Sequence, residues 1–142
     1  MLLQYKNEDC INLILNELDV NPSFLDLSDD NIKKYLLKID EFSVFEKYYI
    51  DNQLAGLVSF YCNNEGTKEA FITLVLVDHS YRGKGIAQKL IIKVIDIIKE
   101  QGFLKCALEV KADNLNAIKL YSKIGFSEKY RKDDIISMSI LV

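Results

Sequence analysis

The sequence predicts a mixed α/β sandwich in the order β-α-α-β-β-β-α-β-α-β-β, and three observations carry that expectation. Residues 70–77 are apolar nearly throughout, the composition of a central strand covered on both faces. A basic, glycine-containing turn follows, and a long amphipathic stretch starts on it with Ile86, Leu90, Ile91, Val94 and Ile98 along one side. Short aromatic and β-branched runs alternate with helical periodicities elsewhere, without repeats or a linker-like change of composition.

In chain order, Leu2-Leu3-Gln4-Tyr5 reads as a short strand. Ile11, Ile14, Leu15 and Leu18 then recur at helical spacing to about Asp19, and Asn21-Pro22-Ser23 breaks that helix. Ser28-Asp29-Asp30-Asn31 supplies N-cap chemistry for a second helix carrying Ile32, Leu36 and Ile39. Residues 42–50 and 54–62 are strands of one hairpin around Asp51-Asn52-Gln53, and Asn63-Asn64-Glu65-Gly66 is the next turn. After the strand at 70–77, the helix over 85–101 ends at Gly102. Residues 105–110 form a strand, and 114–124 a helix closed by Gly125 in the C′ position. Residues 126–130 and 135–142 make the last hairpin.

A chain of 142 residues with 49% apolar content is expected to be one domain over 1–142, able to bury its core without disulfides. The first residues lack the basic start and apolar core of a secretory leader, and no run nears the ~18–20 apolar residues of a membrane span. Three widely spaced cysteines and a single histidine fit neither a zinc site nor a disulfide framework, so no metal and a reduced, cytoplasmic location are expected. Cys10, Cys62 and Cys106 read as small buried hydrophobes, and His79 as a solvent-facing loop residue. Eighteen basic against 21 acidic side chains give a net charge of −3, interspersed rather than clustered, which offers nucleic acid no footprint.

The most informative segment is Val75 to Gln88. A strand running through a glycine turn into a helix aims free backbone N–H groups and the positive end of a helix dipole at one point, where phosphate is the natural occupant. Tight turning alone also explains Gly83 and Gly85. Lys84 sits between glycines rather than in a P-loop, and Gly83-x-Gly85-x-Ala87 fits a dinucleotide fingerprint poorly. Arg82-Gly83-Lys84-Gly85-Ile86-Ala87 instead resembles the Q/R-x-x-G-x-G/A signature of the GNAT N-acetyltransferase superfamily. Downstream, Leu108-Glu109-Val110 and Asn114-x-x-Ala117-x-x-x-Tyr121-x-x-x-Gly125-Phe126 resemble the family's second motif at its usual distance. The resemblance covers roughly residues 55–142.

The resemblance implies a mostly antiparallel mixed sheet flanked by helices, in which the strands before and after the long helix splay apart to admit the pantetheine arm of acetyl-CoA. Val75, Leu76 and Val77 would pair with that arm, and the amides of Gly83, Lys84, Gly85, Ile86, Ala87 and Gln88 would cradle the pyrophosphate. A Cβ at 83 or 85 would hold phosphates away or forbid the backbone angles. Arg82 adds charge close by, and Lys84 can reach a phosphate oxygen. Amide formation from a thioester needs an uncharged amine, a met oxyanion and a proton for the departing thiolate. The resemblance places Leu76 N–H at the oxyanion and Tyr121 as the acid. Asn114, Ala117 and Tyr121 share one helical face, with Asn114 on the arm and Ala117 small enough to let it pass. The Leu-Glu-Val…Leu-Tyr arrangement is similar to that of ribosomal-protein alanine N-acetyltransferases, which implies Glu109 as base. A half-dry cleft would raise the pKa of that carboxylate. An outward-facing Glu109 is the plainer alternative.

The acceptor side is less legible. Phe45, Tyr48, Tyr49 and Tyr61 on the first hairpin are candidate walls, and Asp19, Asp26, Asp29 and Asp30 candidate contacts for a cation. Packing and edge positions are the plainer account of the aromatics, and helix capping of the aspartates. The implied activity is acetyl transfer from acetyl-CoA to a primary amine, of a small molecule or a peptide N-terminus, by direct attack in a ternary complex. Nucleic acid and membrane are not expected as partners, and a homodimer stays open. A non-catalytic acyl-CoA-binding module on the same scaffold is the rival reading, and a nucleotide-binding domain the third.

Overall fold

The computed structural model describes residues 4–142. Leu2 and Leu3 of the expected first strand lie outside the described residues, and Gln4 and Tyr5 are irregular rather than extended in a sheet. Among the described residues, four helices flank an open mixed sheet of six strands. Helix α1 (Glu8–Val20) buries Cys10, Ile11 and Ile14, while α2 (Asp29–Phe42) buries Leu36 and Ile39. Ser28 stands in the N-cap position of α2, but its side chain makes no capping bond, so the acidic Asp29 and Asp30 complement the helix dipole instead. Asp40 ties the two helices together: its buried carboxylate accepts from the Lys6 and Asn7 N–H groups, each at 2.8 Å.

The strands are β1 (Val44–Ile50), β2 (Gln53–Tyr61), β3 (Glu69–Val77), β4 (Lys105–Lys111), β5 (Ser127–Lys132) and β6 (Ile135–Leu141), in the spatial order β1-β2-β3-β4-β6-β5. Asp51 and Asn52 take positive φ between β1 and β2, the conformation a two-residue hairpin turn demands. Only β3 and β4 run parallel; the other neighbours are antiparallel. The crossover between β3 and β4 is α3 (Ile86–Glu100), whose stripe of Ile86, Leu90, Ile91, Val94 and Ile98 is buried as expected. Helix α4 (Leu115–Ile124) ends where Gly125 N–H donates to Ser122 O and Phe126 N–H to Tyr121 O, a glycine-closed Schellman turn.

Two apolar clusters hold the layers. One joins α3 and Tyr121 of α4 to Phe60, Ala70, Ile72, Leu108 and Met138. The other joins α1 and α2 to Leu57, Leu74 and Leu76. Strand β3 therefore meets apolar partners on both faces, and it changes face midway. Ser59 pairs with Leu74 and Phe60 with Ile72, which leaves Thr73 as an extra residue, a β-bulge. Even-numbered residues before the bulge pack toward α3, and even-numbered residues after it pack toward α1 and α2. Apolar cover on both faces is why the run showed no alternation in sequence.

Gly56 was not marked by any motif, yet it sets how closely α3 sits on the sheet. A Cβ there would meet Leu76 O at 3.1 Å, Ile86 Cγ2 at 3.2 Å and Leu90 Cδ1 at 3.3 Å. Among the described residues no helix is long and apolar enough to cross a membrane. Burial pushes the Cys10 and Cys106 thiols up to about 12, whereas Cys62 is only half-buried. With a thiol reagent at about pH 8, Cys62 should label in the native protein while Cys10 and Cys106 label only in denaturant. Native labelling of all three at one rate would show that the clusters are open.

Candidate functional site

The site begins where two strands part. Between β3 and β4 the parallel register runs from Glu69↔Lys105 to Ile72↔Leu108 and stops there. Beyond that point β3 stays on β2 as far as Val77, and β4 stays on β6 as far as Lys111. The bulge at Thr73 lies at the fork. Tyr35 of α2 braces it: its hydroxyl lies 3.2 Å from Thr73 O, to which it donates, and 2.9 Å from Thr73 Oγ1. Two clefts meet at the fork, of about 580 Å³ on the α1–α2 side and about 500 Å³ on the α3–α4 side. Asn21, Phe24, Val75, Asn114 and Tyr121 line both.

Alternation decides which β3 amides face the gap. Asp78 N–H donates to Ala55 O of β2 at 2.8 Å, so Leu76, two residues back, turns its own N–H and C=O toward β2. Those of Val75 and Val77 face the opening, and Val77 O accepts from Arg82 Nε at 3.0 Å. This corrects the expectation for Leu76. Its amide belongs to the sheet, and the free donor beside the fork is Val75 N–H.

The turn after β3 is a short 3-10 segment, His79–Tyr81, started by Asp78, whose carbonyl accepts from Tyr81 N–H at 2.8 Å. Gly83 and Gly85 follow at φ of +80° and +75°, a region that side chains with a Cβ rarely enter. A Cβ at either would meet nothing within 4 Å, so the backbone angle rather than crowding requires glycine in the protein itself. Among the described residues no backbone carbonyl accepts from the amides of residues 83–88; the next amide, of Lys89, donates to Gly85 O at 3.2 Å. Six successive donors at a helix N-terminus are thus left to a ligand.

Arg82 is a brace as well as a charge. Besides Val77 O, it reaches Glu17 of α1, Nη2 to Oε1 at 2.9 Å, and Glu17 is 8% exposed. Its cation is therefore already paired. Lys84 is the one residue of 82–88 that does not line the α3–α4 cleft; its ammonium lies 5.8 Å from the centre of the Tyr81 ring. The reach of Lys84 toward a phosphate oxygen is not seen in this conformation.

Asn114 caps α4, its Oδ1 accepting from Ala117 N–H at 3.2 Å, and both residues line the α3–α4 cleft. Tyr121, 9% exposed, packs its ring against Phe126 with centroids 6.0 Å apart. Burial raises its phenol above the ordinary value. No sealed side-chain polar atom among the described residues lacks a partner, and the Tyr121 hydroxyl makes no bond within them, so it opens into the clefts it lines. Glu109 lies on the other face of β4 from Leu108 and Val110 and lines the α1–α2 cleft, but it is exposed. The half-dry setting expected of it is absent. Tyr121 and Glu109 pack on opposite faces of the sheet, and the fork is what gives both access to one space.

The hairpin aromatics do not wall the acceptor side. Phe45 and Tyr61 pack into the α1–α2 cluster, Tyr48 lies under the Lys89 ammonium at 5.8 Å, and Tyr49 bonds Asp9. Phe24, Leu25, Leu27 and Tyr35 form that wall instead, and of the four aspartates only Asp26 lines it, paired to Lys111 at 3.1 Å. Sequence reading missed Tyr35 and Lys111. It also passed over Thr73, although a lone hydroxyl in the run 70–77 was a usable signal.

The model of the Acetyltransferase (GNAT) family matches residues 9–126. An uncharacterized N-acetyltransferase of Methanocaldococcus jannaschii is 36% identical over 102 residues, covering 68% of this chain and 44% of that protein. The [ribosomal protein bS18]-alanine N-acetyltransferase of Escherichia coli K12 is 32% identical over 94 residues, covering 58% of this chain and 64% of that protein. The chain thus spans less than two thirds of either relative. The PaiA N-acetyltransferase of Thermoplasma acidophilum, solved with coenzyme A, superposes with a TM-score of 0.76 at 18% identity, covering 99% of this chain and 96% of that one. At that identity the likeness is one of fold.

Removing the Arg82 brace leaves a buried carboxylate alone. Arg82→Met should lower stability by about 2 kcal/mol and the melting temperature by about 6 °C, with a smaller drop for Glu17→Gln. Unchanged melting of Arg82→Met would show that the pair holds nothing.

Proposed function

The chain belongs to the Acetyltransferase (GNAT) family, and on that premise we propose that it transfers an acetyl group from acetyl-CoA to a primary amine by direct attack in a ternary complex. The observation that carries this reading is the row of six unpaired amides on a two-glycine turn at the mouth of a forked sheet. A diphosphate fits such a row because every oxygen can accept from a fixed donor, with the helix dipole adding to the attraction. Val75 and Val77, facing the opening, offer the pairing edge for an amide-bearing arm. The capping bond of Asn114 leaves its Nδ2 to donate to the same arm.

At the fork, Val75 N–H is placed to meet an oxyanion as it develops, a donor held by the sheet and needing no reorganisation. Tyr121 keeps its proton through the neutral range because burial disfavours the phenolate, so it stays a donor for departing sulfur. Glu109 lies on the acceptor side, where a carboxylate can take the proton that an ammonium must lose before attack. The acceptor enters from the α1–α2 side and the acyl donor from the α3–α4 side, so the two meet without crossing. Small amines and protein N-termini both satisfy this scheme.

Acetyl-CoA at about 100 times its Kd should stabilise the protein by about 2.7 kcal/mol, readable as a thermal shift that ATP and NAD do not give. Gly85→Glu should abolish the shift; a retained one would put the phosphates elsewhere. Tyr121→Phe should bind acetyl-CoA normally and lose roughly 10²-fold or less in turnover. The raised phenol pKa extends the protonated, active form upward, so any loss of kcat from this acid should be centred above about pH 10. A falling limb centred below about pH 9 that Tyr121→Phe removes would take Tyr121 out of the role.

A further inference from the structure

Helices α1 and α2 cover only half of their face of the sheet. Their cluster takes residues from β1, β2 and β3, and none of β4, β5 or β6 among the described residues. On the uncovered half, β4 presents Lys105, Ala107, Glu109 and Lys111, paired across to Leu141, Ser139, Ser137 and Ile135 of β6. Ala107, Ser137 and Ser139 are small, and with Phe71 and Tyr130 beside them they floor a trough of about 130 Å³. Glu109 lines both this trough and the α1–α2 cleft, so the two adjoin there. At its other end the trough joins a pocket of about 440 Å³ lined by Lys105, Ser127, Lys129 and Ser139.

The two sides of the trough carry opposite charge. Glu109 has no ion-pair partner among the described residues. Away from it, Lys105 is shared with Glu69 at 3.4 Å, and Lys129, in the β5 bulge two strands across from β4, has no partner among the described residues, a net single positive charge. Ser139 is 4% exposed and bonds to nothing within the described chain, yet no sealed polar atom there is unsatisfied. Its hydroxyl must therefore open onto the trough and pocket it lines. An accessible hydroxyl with no partner in the protein, lining the same pocket as an unpaired ammonium, can receive an oxyanion.

We propose that this shelf seats the acceptor as an extended peptide N-terminus, its amine at Glu109 and an acidic side chain at Lys129 and Ser139. The proposal rests on the acetyl-transfer reading above and names its acceptor class. At ~3.4 Å per residue, the row of Ala107 and Ser139 lies about 7 Å along β4 from Glu109, and β5 with Lys129 lies about 10 Å across at ~4.8 Å per strand, a diagonal that places the carboxylate on the third to fifth residue of an extended peptide. Small floor residues leave room for its backbone, and the flanking rings take its side chains.

The test uses pairs of short peptides identical except for Asp or Lys at the fourth residue, followed by thiol release and, separately, by fluorescence anisotropy of C-terminally labelled peptides. The Asp peptide should exceed the Lys peptide by roughly five- to tenfold in both kcat/KM and affinity. Lys129→Glu should reverse the order, a gain for the Lys peptide that misfolding does not produce, and Ser139→Ala should narrow the gap. Equal peptides, or a preference that Lys129→Glu leaves in place, would overturn the proposal while small-amine turnover still upheld acetyl transfer. A charge-reversed binding preference without turnover of any amine would uphold the shelf and sink the transfer reading.

Discussion

One extra residue in one strand organises this molecule. With Thr73 inserted, β3 follows β2 on a bent course and can no longer follow β4, and the parallel ladder ends at Ile72 and Leu108. Backbone groups that a continuous sheet would consume are left facing a gap. The gap in turn lets side chains from opposite faces, Tyr121 and Glu109, border connected space. Tyr35 holds the bulge from α2, so the helical layer on the acceptor side supports the geometry of the fork itself.

A second dependence joins the phosphate turn to that same layer. Arg82 grips Val77 O at the end of β3 and Glu17 near the end of α1, and Asn21 and Phe24, just beyond α1, line both clefts. The position of α1 is fixed at its other end by Asp40, through the Lys6 and Asn7 amides. The donors of residues 83–88 consequently stand on a frame anchored to sheet and helix together. Pre-set donors of this kind need little ordering on binding. Gly56 contributes from beneath by letting the first turn of α3 settle against β2 and β3.

The element order was largely legible. The period of Ile86, Leu90, Ile91, Val94 and Ile98 marked α3, and the glycines at 83 and 85 marked a turn whose positive φ values only glycine takes easily. Tyr121 and Asn114 were marked by helical spacing together with a motif. The errors have physical causes. Aromatics on the first hairpin look alike in sequence whether they face a core or a cleft, and here they face cores or solvent. The protection imagined for Glu109 depended on what covers β4, a matter of long-range packing; no helix of the α1–α2 cluster reaches it.

By itself the sequence determined local matters: periodicities, turns, the glycine positions, and a motif binding a phosphate turn to a helix face. These follow from interactions over a few residues, so they are written in adjacent letters. Tertiary structure alone decided that Thr73 is a bulge, that Val75 rather than Leu76 turns its amide to the gap, and that Arg82 is paired to a glutamate 65 residues away. It also decided that, among the described residues, α1 and α2 cover only half of one sheet face. Each of those outcomes depends on which distant strand or helix a residue meets, and burial, pairing and charge neutralisation are properties of that meeting.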